Sequence, residues 1–486
     1  MKYKLIIILV LSHILTTSCE DSLATTPESS LTSENAFSDL GGIEAALVGV
    51  YESFQSAEYY VWDFMLLGDI RADNGYGGGD DPEISQMDLL QITPNNERIF
   101  TNWSNIYNAI SKANTVLERV PLVEDASLTE ERRNQIRGEA LFLRAYHYFT
   151  LVKTYGSVPL VTELPESLNP EDTQVPKSSI QDIYTQILDD LDEAISLLPE
   201  VFESQGSIKA RATSGAAHAL AAKANAQSPA KDYEEALRHI QAVENSAANY
   251  QLIEYARLFD GVNENSAESI LEVQYAGGDE GNFGPQLLLP FSVSGDRWRK
   301  FATPSVDLIN AYNALGDNVR RDASFLFESA PWVDEYWGNR FDSEIPFGFK
   351  WKNANGFASA NNTFLLRYGD IILLKAEALN ETNNLELAVI EVNRIRTRAQ
   401  LPELSAAETS SQEVLKSVIL NERRLELAYE GHRWDDLSRN GVLIETMNNL
   451  NEIDLRTGNP VNYNMTEEKR FLPIPLRELD RNPALQ

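Results

Sequence analysis

A motif of small residues occurs twice in the chain at a constant offset of 152 residues: Lys223-Ala224-x-Ala226 with Tyr233-x-x-Ala236, and Lys375-Ala376-x-Ala378 with Leu385-x-x-Ala388. Small residues on one helix let a second helix approach closely, and a large residue then fills the remaining gap. The motif therefore predicts helix pairs that stack on one another. Ordinary packing between alanine-rich helices explains so short a match equally well, so both interpretations stay open at this point.

Helical periodicity extends well beyond this motif. Apolar residues at three- and four-residue steps predict helices at about 33–54, 98–120, 130–155, 178–198, 211–227, 232–245, 362–381, 384–399 and 411–430. Ser33 is the predicted N-cap of the first helix, and 270–275 is a predicted strand. Helix pairs that cannot bury their own apolar faces stack, as in tetratricopeptide repeats. The sequence thus predicts a mainly α fold with an irregular, loop-rich lobe that contains short strands.

Composition and charge exclude several classes of protein. The 486 residues are 43% hydrophobic and 23% charged, which is typical of a folded soluble protein and excludes wholesale disorder or many membrane spans. This length exceeds what one compact core usually holds, so two lobes or a repeat array are expected. The net charge of −32 excludes a nucleic-acid binder held by phosphate contacts.

The N-terminus is typical of a bacterial lipoprotein. Lys2 and Lys4 precede an apolar run that is too short to span a bilayer but suits a signal peptide, and the only cysteine, Cys19, follows where cleavage should fall. We therefore expect 1–18 to be a signal peptide, Cys19 to be lipidated, and 19–32 to be a flexible, polar tether. Losing the two leader lysines would take the net charge to −34. An ordinary secreted protein with a stray thiol is the alternative.

Two irregular segments, 58–97 and 256–361, are the candidates for ligand binding, because loops on a rigid scaffold usually carry it. Four of the seven tryptophans fall between 298 and 351. Aromatic rings can stack on the C–H faces of sugars, while planar polar groups hydrogen-bond their hydroxyls. The candidate ligand residues are Asp73, Asn74, Tyr76, Trp298, Trp332, Tyr336 and Trp337. The alternative is that the four tryptophans, Trp298, Trp332, Trp337 and Trp351, are simply core residues of a loop-rich lobe.

Histidine-dependent hydrolysis and metal binding find little support. The histidines after the leader are His147, His218, His239 and His432. None lies beside a Gly-x-Ser-x-Gly or HExxH motif, so all four are interpreted as structural. The acidic stretch 69–81 fails the EF-hand template, because the third, sixth and twelfth positions hold Arg71, Asn74 and Asp80. We therefore predict no metal and no cofactor.

Paired carboxylates give the more serious enzyme hypothesis. Glu422, Glu426 and Glu430 lie at i, i+4 and i+8 on one helix face, and a glycosidase needs only two acids at the right separation. Like charges stacked in this way need cations beside them. The cations considered are Arg423, Arg424 and Arg433, which are near in sequence, and Arg394, Arg396 and Arg398 on the preceding helix. We favour an ion-pair network that joins two helices; acid/base catalysis by Glu426 and Glu430 is the alternative.

Taken together, motifs along nearly the whole length resemble the SusD/RagB family of outer-membrane nutrient-binding lipoproteins. The motifs are the leader with Cys19, Trp103-x-x-x-Tyr107-x-x-Ile110-x-x-Ala113-Asn114, Arg144-Ala145-x-x-Tyr148-Phe149, Tyr155-Gly156-x-Val158-Pro159, Pro304-Ser305-x-x-Leu308, Gly316-Asp317-x-x-Arg320-Arg321, Leu366-Arg367-Tyr368-x-Asp370, Glu422-Arg423-Arg424-x-Glu426, Glu430-Gly431-x-Arg433-Trp434-x-Asp436 and Pro473-Ile474-Pro475. Their order and spacing together carry the resemblance.

The resemblance implies about eight helices in four tetratricopeptide-like pairs, and a protein that binds glycan without cleaving it. It also implies a partner, a TonB-dependent SusC-like transporter, over whose extracellular mouth the lipoprotein would sit at the outer membrane. The expected divisions are a helical part at 33–255 that includes the loop 58–97, a ligand-binding lobe at 256–361, and a second helical part at 362–486. A tetratricopeptide-type scaffold that binds a protein or peptide is the runner-up hypothesis.

Overall fold

The computed structural model describes residues 36–297, 301–330, 344–454 and 457–486. Several predictions from the sequence therefore lie outside the described residues. These are the signal peptide 1–18, the tether 19–32 with Cys19, and the candidate ligand residues Trp298, Trp332, Tyr336 and Trp337.

Helices dominate the described chain. Before residue 250 they are α1 (Leu40–Glu52), α2 (Asp63–Met65), α3 (Pro82–Asp88), α4 (Glu97–Arg119), α5 (Glu130–Tyr155), α6 (Pro170–Thr173), α7 (Ile180–Leu197), α8 (Ser214–Gln227) and α9 (Tyr233–Glu244). Between 280 and 330 they are α10 (Gly284–Leu288), α11 (Phe291–Ser294), α12 (Val306–Leu315) and α13 (Asn318–Ser324). The remainder are α14 (Tyr368–Glu381), α15 (Leu385–Arg398), α16 (Gln412–Glu426), α17 (Arg433–Arg439), α18 (Leu443–Asn449) and α19 (Leu476–Arg481). Two π-helical turns, Ala57–Val61 and Leu66–Ile70, flank α2.

The long helices form one stacked array. In chain order α1 packs on α4, α4 on α5, α5 on α7, α7 on α8 and α8 on α9. Helix α9 then packs on α14, which contacts α15 and α16, so the array continues across the intervening irregular lobe. The mainly α fold of helical repeats with short strands is confirmed.

The repeated motif lies in two matching helical hairpins, α8–α9 and α14–α15. Its alanines are fully buried in both copies. The two connections also match, because Lys231 and Asn383, at the same offset of 152 residues, both have positive φ (51° and 62°). The hairpins are bonded to each other, since the Tyr233 hydroxyl donates to Glu377 and the Lys375 ammonium donates to Glu244. The stacking interpretation of the motif is therefore correct.

Three predicted helix boundaries are wrong. The helix predicted at 411–430 ends at Glu426, so Glu430 lies in the turn after α16 and not on one helix face with Glu422 and Glu426. The helix predicted at 33–54 begins at Leu40, where the Asp39 side chain accepts the Gly42 amide and caps it, while the predicted N-cap Ser33 lies outside the described residues. The segment predicted as the start of the 362–381 helix is instead strand β6 (Thr363–Arg367), and the helix starts at Tyr368. This apolar run satisfies a helical period as well as an extended one, and the strand that it pairs with decides the outcome.

Short strands pair in three antiparallel ladders. The strands are β1 (Gly75–Gly77), β2 (Ser269–Val273), β3 (Ala302–Pro304), β4 (Phe325–Glu328), β5 (Ile345–Gly348) and β6. Strand β1 pairs with β3, β2 with β6, and β4 with β5. The predicted strand at 270–275 is confirmed as β2. None of the described helices combines the length and the apolar character needed to cross a bilayer.

Candidate functional site

The two irregular segments that the sequence marks for binding meet at the β1–β3 ladder. In this ladder Gly75 is opposite Pro304, Tyr76 is opposite Thr303, and Gly77 is opposite Ala302. The pairing continues one residue further, because the Gly78 amide donates to the Phe301 carbonyl at 2.9 Å. Strand β3 also packs against β5. Both strands are buried, so residues more than 200 positions apart in the chain form the buried base of one surface.

We call this surface the loop face and define it by residues 75–81, 291–297, 301–305 and 325–328. Phe291 on α11 is 37% exposed, and the guanidinium of Arg297 lies 5.0 Å from the centroid of its ring. Beside it the hydroxyl of Ser292 donates to a carboxylate oxygen of Glu328 at 2.5 Å. The sequence analysis did not single out Phe291, although an aromatic that follows Pro290 at the start of a short helix could have been noted.

The Ser292–Glu328 contact joins the chain flanks of both tryptophan-bearing segments. Trp298 follows α11 by four residues, while Trp332, Tyr336 and Trp337 lie in the connection between Glu328 of β4 and Ile345 of β5. The described flanks of these two segments therefore converge at the loop face.

The Asp73 side chain is buried and bonded within the protein. Its carboxylate accepts two bonds from Arg433, with Nε–Oδ1 at 2.7 Å and Nη2–Oδ2 at 2.8 Å, and Arg424 lies 3.3 Å away. Burial alone would raise the pKa of Asp73, but the guanidinium groups of Arg424 and Arg433 outweigh it and lower the pKa well below the usual range. The contacts of Asp73 are therefore structural, and its contact with a ligand stays a prediction.

Asn74 and Tyr76 are buried in the same way. The Asn74 amide donates to Asp69, and its oxygen accepts from Arg424 Nε at 2.8 Å. The Tyr76 hydroxyl donates to the buried carboxylate of Glu452. These contacts anchor the loop and hold β1 in place, and ligand contact by Asn74 and Tyr76 stays a prediction, as it does for Asp73.

Asp69 fixes the start of the loop against the segment that follows α16. Its carboxylate accepts the amides of Tyr429 and Gly431 at 3.1 and 2.6 Å, together with the Asn74 amide. Burial raises the pKa of Asp69 to about 6 despite these bonds. Gly68 lies so close to Gly431 that a Cβ on Gly68 would meet the Gly431 carbonyl oxygen at 2.2 Å, so only glycine fits there.

The carboxylates proposed for glycosidase chemistry are held in a buried ion-pair network. Arg367 contacts Glu426 at 2.7 Å and Glu430 at 2.5 Å, and Arg320 contacts Glu426 at 3.4 Å. Burial favours the neutral form of Glu426, but Arg398, Arg367 and Arg320 lower its pKa to about 2. The pKa of Glu430 is lowered for the same kind of reason, chiefly by Arg367 and Lys350 against burial. A general acid needs a raised pKa, so this pair does not suit acid/base catalysis.

The four histidines are structural in this geometry. His147 is fully buried, its Nδ1 lies 2.7 Å from the Tyr59 hydroxyl, and burial lowers its pKa to about 3. His218 and His239 face each other, with 2.8 Å between their Nδ1 atoms. Within the ranges that the structure describes, no group of three or more His, Cys, Asp and Glu side chains is arranged to hold a metal ion.

Comparison with known proteins decides the family. A family model described as "Starch-binding associating with outer membrane" matches residues 32–225, and one described as "SusD family" matches residues 341–486. The chain belongs to the SusD/RagB family. SusD-like proteins bind carbohydrate and are not enzymes, and they are associated with the outer membrane and exposed at the cell surface. The family resemblance and the prediction that the chain is not an enzyme are confirmed.

Relatives and solved structures of the SusD family match over nearly the whole chain. A SusD-like protein of Formosa agariphila is 27% identical, covering 96% of this chain and 95% of the relative, and one of Bacteroides ovatus is 27% identical, covering 90% and 82%. The structure of a SusD superfamily protein from Bacteroides vulgatus superposes with a TM-score of 0.78 at 23% identity, covering 93% of this chain and 98% of the other. A structure titled "Laminarin binding SusD-like protein" gives a TM-score of 0.73 at 25% identity, covering 91% and 98%.

Proposed function

We propose that this SusD-like protein captures oligosaccharides or polysaccharides at the loop face and delivers them, uncleaved, to a TonB-dependent, SusC-like transporter. In this proposal a lipid on Cys19 anchors the protein at the outer membrane, facing the cell exterior, and 19–32 is the tether. Trp298, Trp332, Tyr336 and Trp337 provide the stacking surface, with Asp73, Asn74 and Tyr76 belonging to the supporting loop.

The meeting of the two irregular segments at the β1–β3 ladder carries the proposal. Sugar capture needs aromatic rings and planar polar groups to be presented together on a rigid base. The ladder, the Ser292–Glu328 contact and the buried ion pair of Asp73 supply that base. The aromatic side chains come from segments whose flanks end on it.

The charge of the chain favours a neutral glycan. A net charge of −32 repels uronates and sulfated sugars at a distance. Arg297, Arg299 and Lys300 form a local cationic sequence next to Trp298 that could offset this repulsion. Laminarin, which is named for one structural neighbour, is the first neutral glycan to include in a binding panel.

Isothermal titration calorimetry with neutral and acidic oligosaccharides tests the capture step. We expect saturable heat without new reducing ends for at least one glycan. Trp298→Ala and Trp337→Ala should each weaken the affinity by about 1–3 kcal/mol, the magnitude of stacking on an aromatic ring. Phe100→Ala is the control, because Phe100 lies on α4 of the helical array, against Arg477 and Arg481. Heat accompanied by product release would support an enzyme. The absence of binding heat with every glycan tested would support a protein-binding scaffold.

Two further experiments test the anchor and the partner. Cys19→Ala should move the protein from the membrane fraction to the soluble fraction and abolish incorporation of a labelled fatty acid. Affinity capture of the tagged wild-type protein from detergent-solubilised outer membranes should recover a TonB-dependent transporter in stoichiometric amounts. A transporter absent from the captured material would contradict the delivery step and leave the glycan-binding step standing.

A further inference from the structure

A second site lies away from the loop face, in a cavity of about 70 Å³ between α5, α8, α17 and the segment 59–71. This volume exceeds what a single water needs, which is about 10–15 Å³. Its rim includes Lys153 and Asp435, whose side chains are each 18% exposed, so the cavity can be reached from solvent. We propose that it binds a small inorganic anion, chloride under ordinary conditions, through the guanidinium of Arg71.

Arg71 is a buried cation without a carboxylate partner. Its side chain is 2% exposed, and among the described residues no carboxylate oxygen lies within 4.0 Å of it. The other two large, fully buried arginines, Arg320 and Arg367, both contact carboxylates, at 2.5 and 2.7 Å respectively. Leaving a charge unpaired in the interior is costly, so a counter-ion is expected beside Arg71.

The remaining contacts of Arg71 leave a donor available at the cavity. Nη2 donates to the carbonyls of Lys469 and Arg470 at 2.6 and 3.2 Å, and the guanidinium carbon lies 3.8 Å from the Trp434 ring centroid. Nε is buried and has no hydrogen-bond partner in the described chain, while the residue lines the cavity. The Nε atoms of Arg98, Arg119, Arg398 and Arg470 also lack a hydrogen-bond partner, but each of those guanidinium groups contacts a carboxylate. Arg71 contacts none among the described residues, so an acceptor in the cavity would supply its missing contact.

The charges around the cavity favour an anion over water. Its ionisable lining holds three cations, Arg71, Lys153 and Lys223, and two anions, Glu430 and Asp435. His432, which also lines it, adds no positive charge at neutral pH because burial lowers its pKa to about 3. The lining therefore has a net charge of +1. A monovalent anion would neutralise it, whereas water would only hydrogen-bond.

Of the three cations in this lining, Arg71 is the one whose charge is not compensated by a bonded carboxylate. Lys153 is bonded to Asp435, and Lys223 is bonded to Asp370 outside the cavity. Burial lowers the pKa of Arg71 to about 9, against the opposing effects of Asp435 and Tyr155. Arg71 lies in the same loop as Asp73, and its Nη2 bonds that loop to the backbone carbonyls of Lys469 and Arg470. An anion here would hold those two distant parts of the chain together.

Bromide provides a direct test, because it replaces chloride and scatters anomalously. Crystals of the full chain soaked in sodium bromide should show an anomalous peak in the cavity, within hydrogen-bond distance of Arg71 Nε. In solution, the melting temperature should be about 1–3 °C higher in sodium chloride or bromide than in sodium gluconate of equal ionic strength. Arg71→Met should weaken the apparent anion affinity at least about tenfold, while Arg144→Met, which removes a buried arginine already paired with Asp190, should keep the difference between salts.

Three results would overturn the proposal. The first is a cavity that contains only water after the bromide soak, and the second is equal melting temperatures in all salts. The third is a bromide peak with no anion-specific shift in solution, which would mean binding at crystal concentration only. If Arg71→Met does not fold, the wild-type bromide map and the salt comparison decide the question without it. Glycan titrations are independent of all these readouts.

Discussion

Asp73 and Arg433, which are 360 residues apart in the sequence, form a two-bond buried ion pair with N–O distances of 2.7 and 2.8 Å. This pair fastens the start of the loop face to α17, in the C-terminal helical part. Arg424 adds a bond from its guanidinium to the backbone carbonyl of Asp73 at 2.8 Å. The base of the proposed binding surface therefore depends on charge pairing across the whole length of the chain.

Asp73→Asn should lower the free energy of unfolding by about 3–5 kcal/mol, because it leaves Arg433 without its buried anion, whereas Arg424 keeps its ion pair with Asp307. Urea unfolding followed by tryptophan fluorescence measures this loss. Arg470→Met is the control; it removes a cation that is 34% exposed and paired with the exposed Glu467, and it should cost less than about 1 kcal/mol. A fully stable Asp73→Asn protein that has lost glycan affinity would instead show direct contact between Asp73 and ligand.

Glu426→Gln should destabilise the protein without removing an activity. The carboxylate of Glu426 is fully buried and forms ion pairs with Arg398, Arg367 and Arg320. Replacing it with a neutral amide therefore leaves these guanidinium groups without a compensating negative charge. We expect a loss of about 3–5 kcal/mol on urea unfolding. A reducing-end assay should show no hydrolysis of any bound glycan by the wild type or by the variant. Release of new reducing ends that Glu426→Gln abolishes would restore the glycosidase hypothesis.

Much of the fold could be predicted from periodicity, because helices that stack in an array must show an apolar face. The boundaries of the helices and strands were harder to predict. Ser33 and Asp39 are both residue types that favour an N-cap, and the structure shows Asp39 capping α1, while Ser33 lies outside the described residues. The run 363–367 has three consecutive apolar residues at its centre, Phe364, Leu365 and Leu366, which fit a buried helix and a buried strand alike. Its pairing with β2, almost 100 residues earlier, settles the choice, and local sequence cannot show that pairing.

The candidate site was predictable in outline only. The two irregular segments could be recognised by their glycines and aromatics, but their meeting at the β1–β3 ladder is a long-range contact. In the carboxylate network the sequence correctly suggested Arg396 and Arg398, which contact Glu422 and Glu426. Other cations were assigned by closeness in sequence, and the structure differs, since Arg423 pairs with Asp370 and Asp436, and Arg394 with Glu391. Arg320, Lys350 and Arg367 supply the missing charge from segments that sequence proximity does not indicate.

Stability should fall in mild acid because of His239. Burial and the neighbouring Arg238 lower the pKa of His239 to about 4, although Glu235 opposes them, whereas in the unfolded chain it is about 6.5. The contribution of His239 to the free energy of unfolding is therefore fully present above pH 6.5 and is lost as the pH falls toward 4. The difference is roughly 3 kcal/mol. Protonation also places a positive charge beside the guanidinium of Arg238, whose Nη2 lies 3.2 Å from His239 Nε2.

His239→Asn isolates this effect, since the asparagine amide can still hydrogen-bond His218 but does not titrate. Urea unfolding of the wild type and the variant between pH 4 and pH 8 gives two stability curves, and their difference cancels the carboxylates that titrate in the same range. We expect the wild-type curve to drop more steeply below pH 6.5. Parallel curves would mean that His239 has an ordinary pKa in the folded protein.

Gly79 should be needed for the shape of the loop face, and Gly206 provides a matched control. Both have positive φ, 74° and 59°. The strained backbone of alanine at either position should therefore lower the free energy of unfolding by a similar amount, about 1 kcal/mol. A Cβ on Gly206 meets nothing within 4 Å, whereas one on Gly79 would lie 2.5 Å from Cδ1 of the Phe301 ring. Phe301 lies three residues after Trp298 in the sequence. Moving the Phe301 ring should therefore disturb the end of the segment that contains Trp298.

We therefore expect Gly79→Ala to lower the free energy of unfolding by more than Gly206→Ala, and to weaken glycan affinity where Gly206→Ala leaves it unchanged. Urea unfolding and calorimetric titration of the same preparations measure both quantities. Equal stability losses would mean that the Phe301 ring moves aside at no cost. Unchanged glycan affinity in Gly79→Ala, despite a larger stability loss, would place the sugar contacts away from the β1–β3 ladder, because a displaced Phe301 ring alters that ladder.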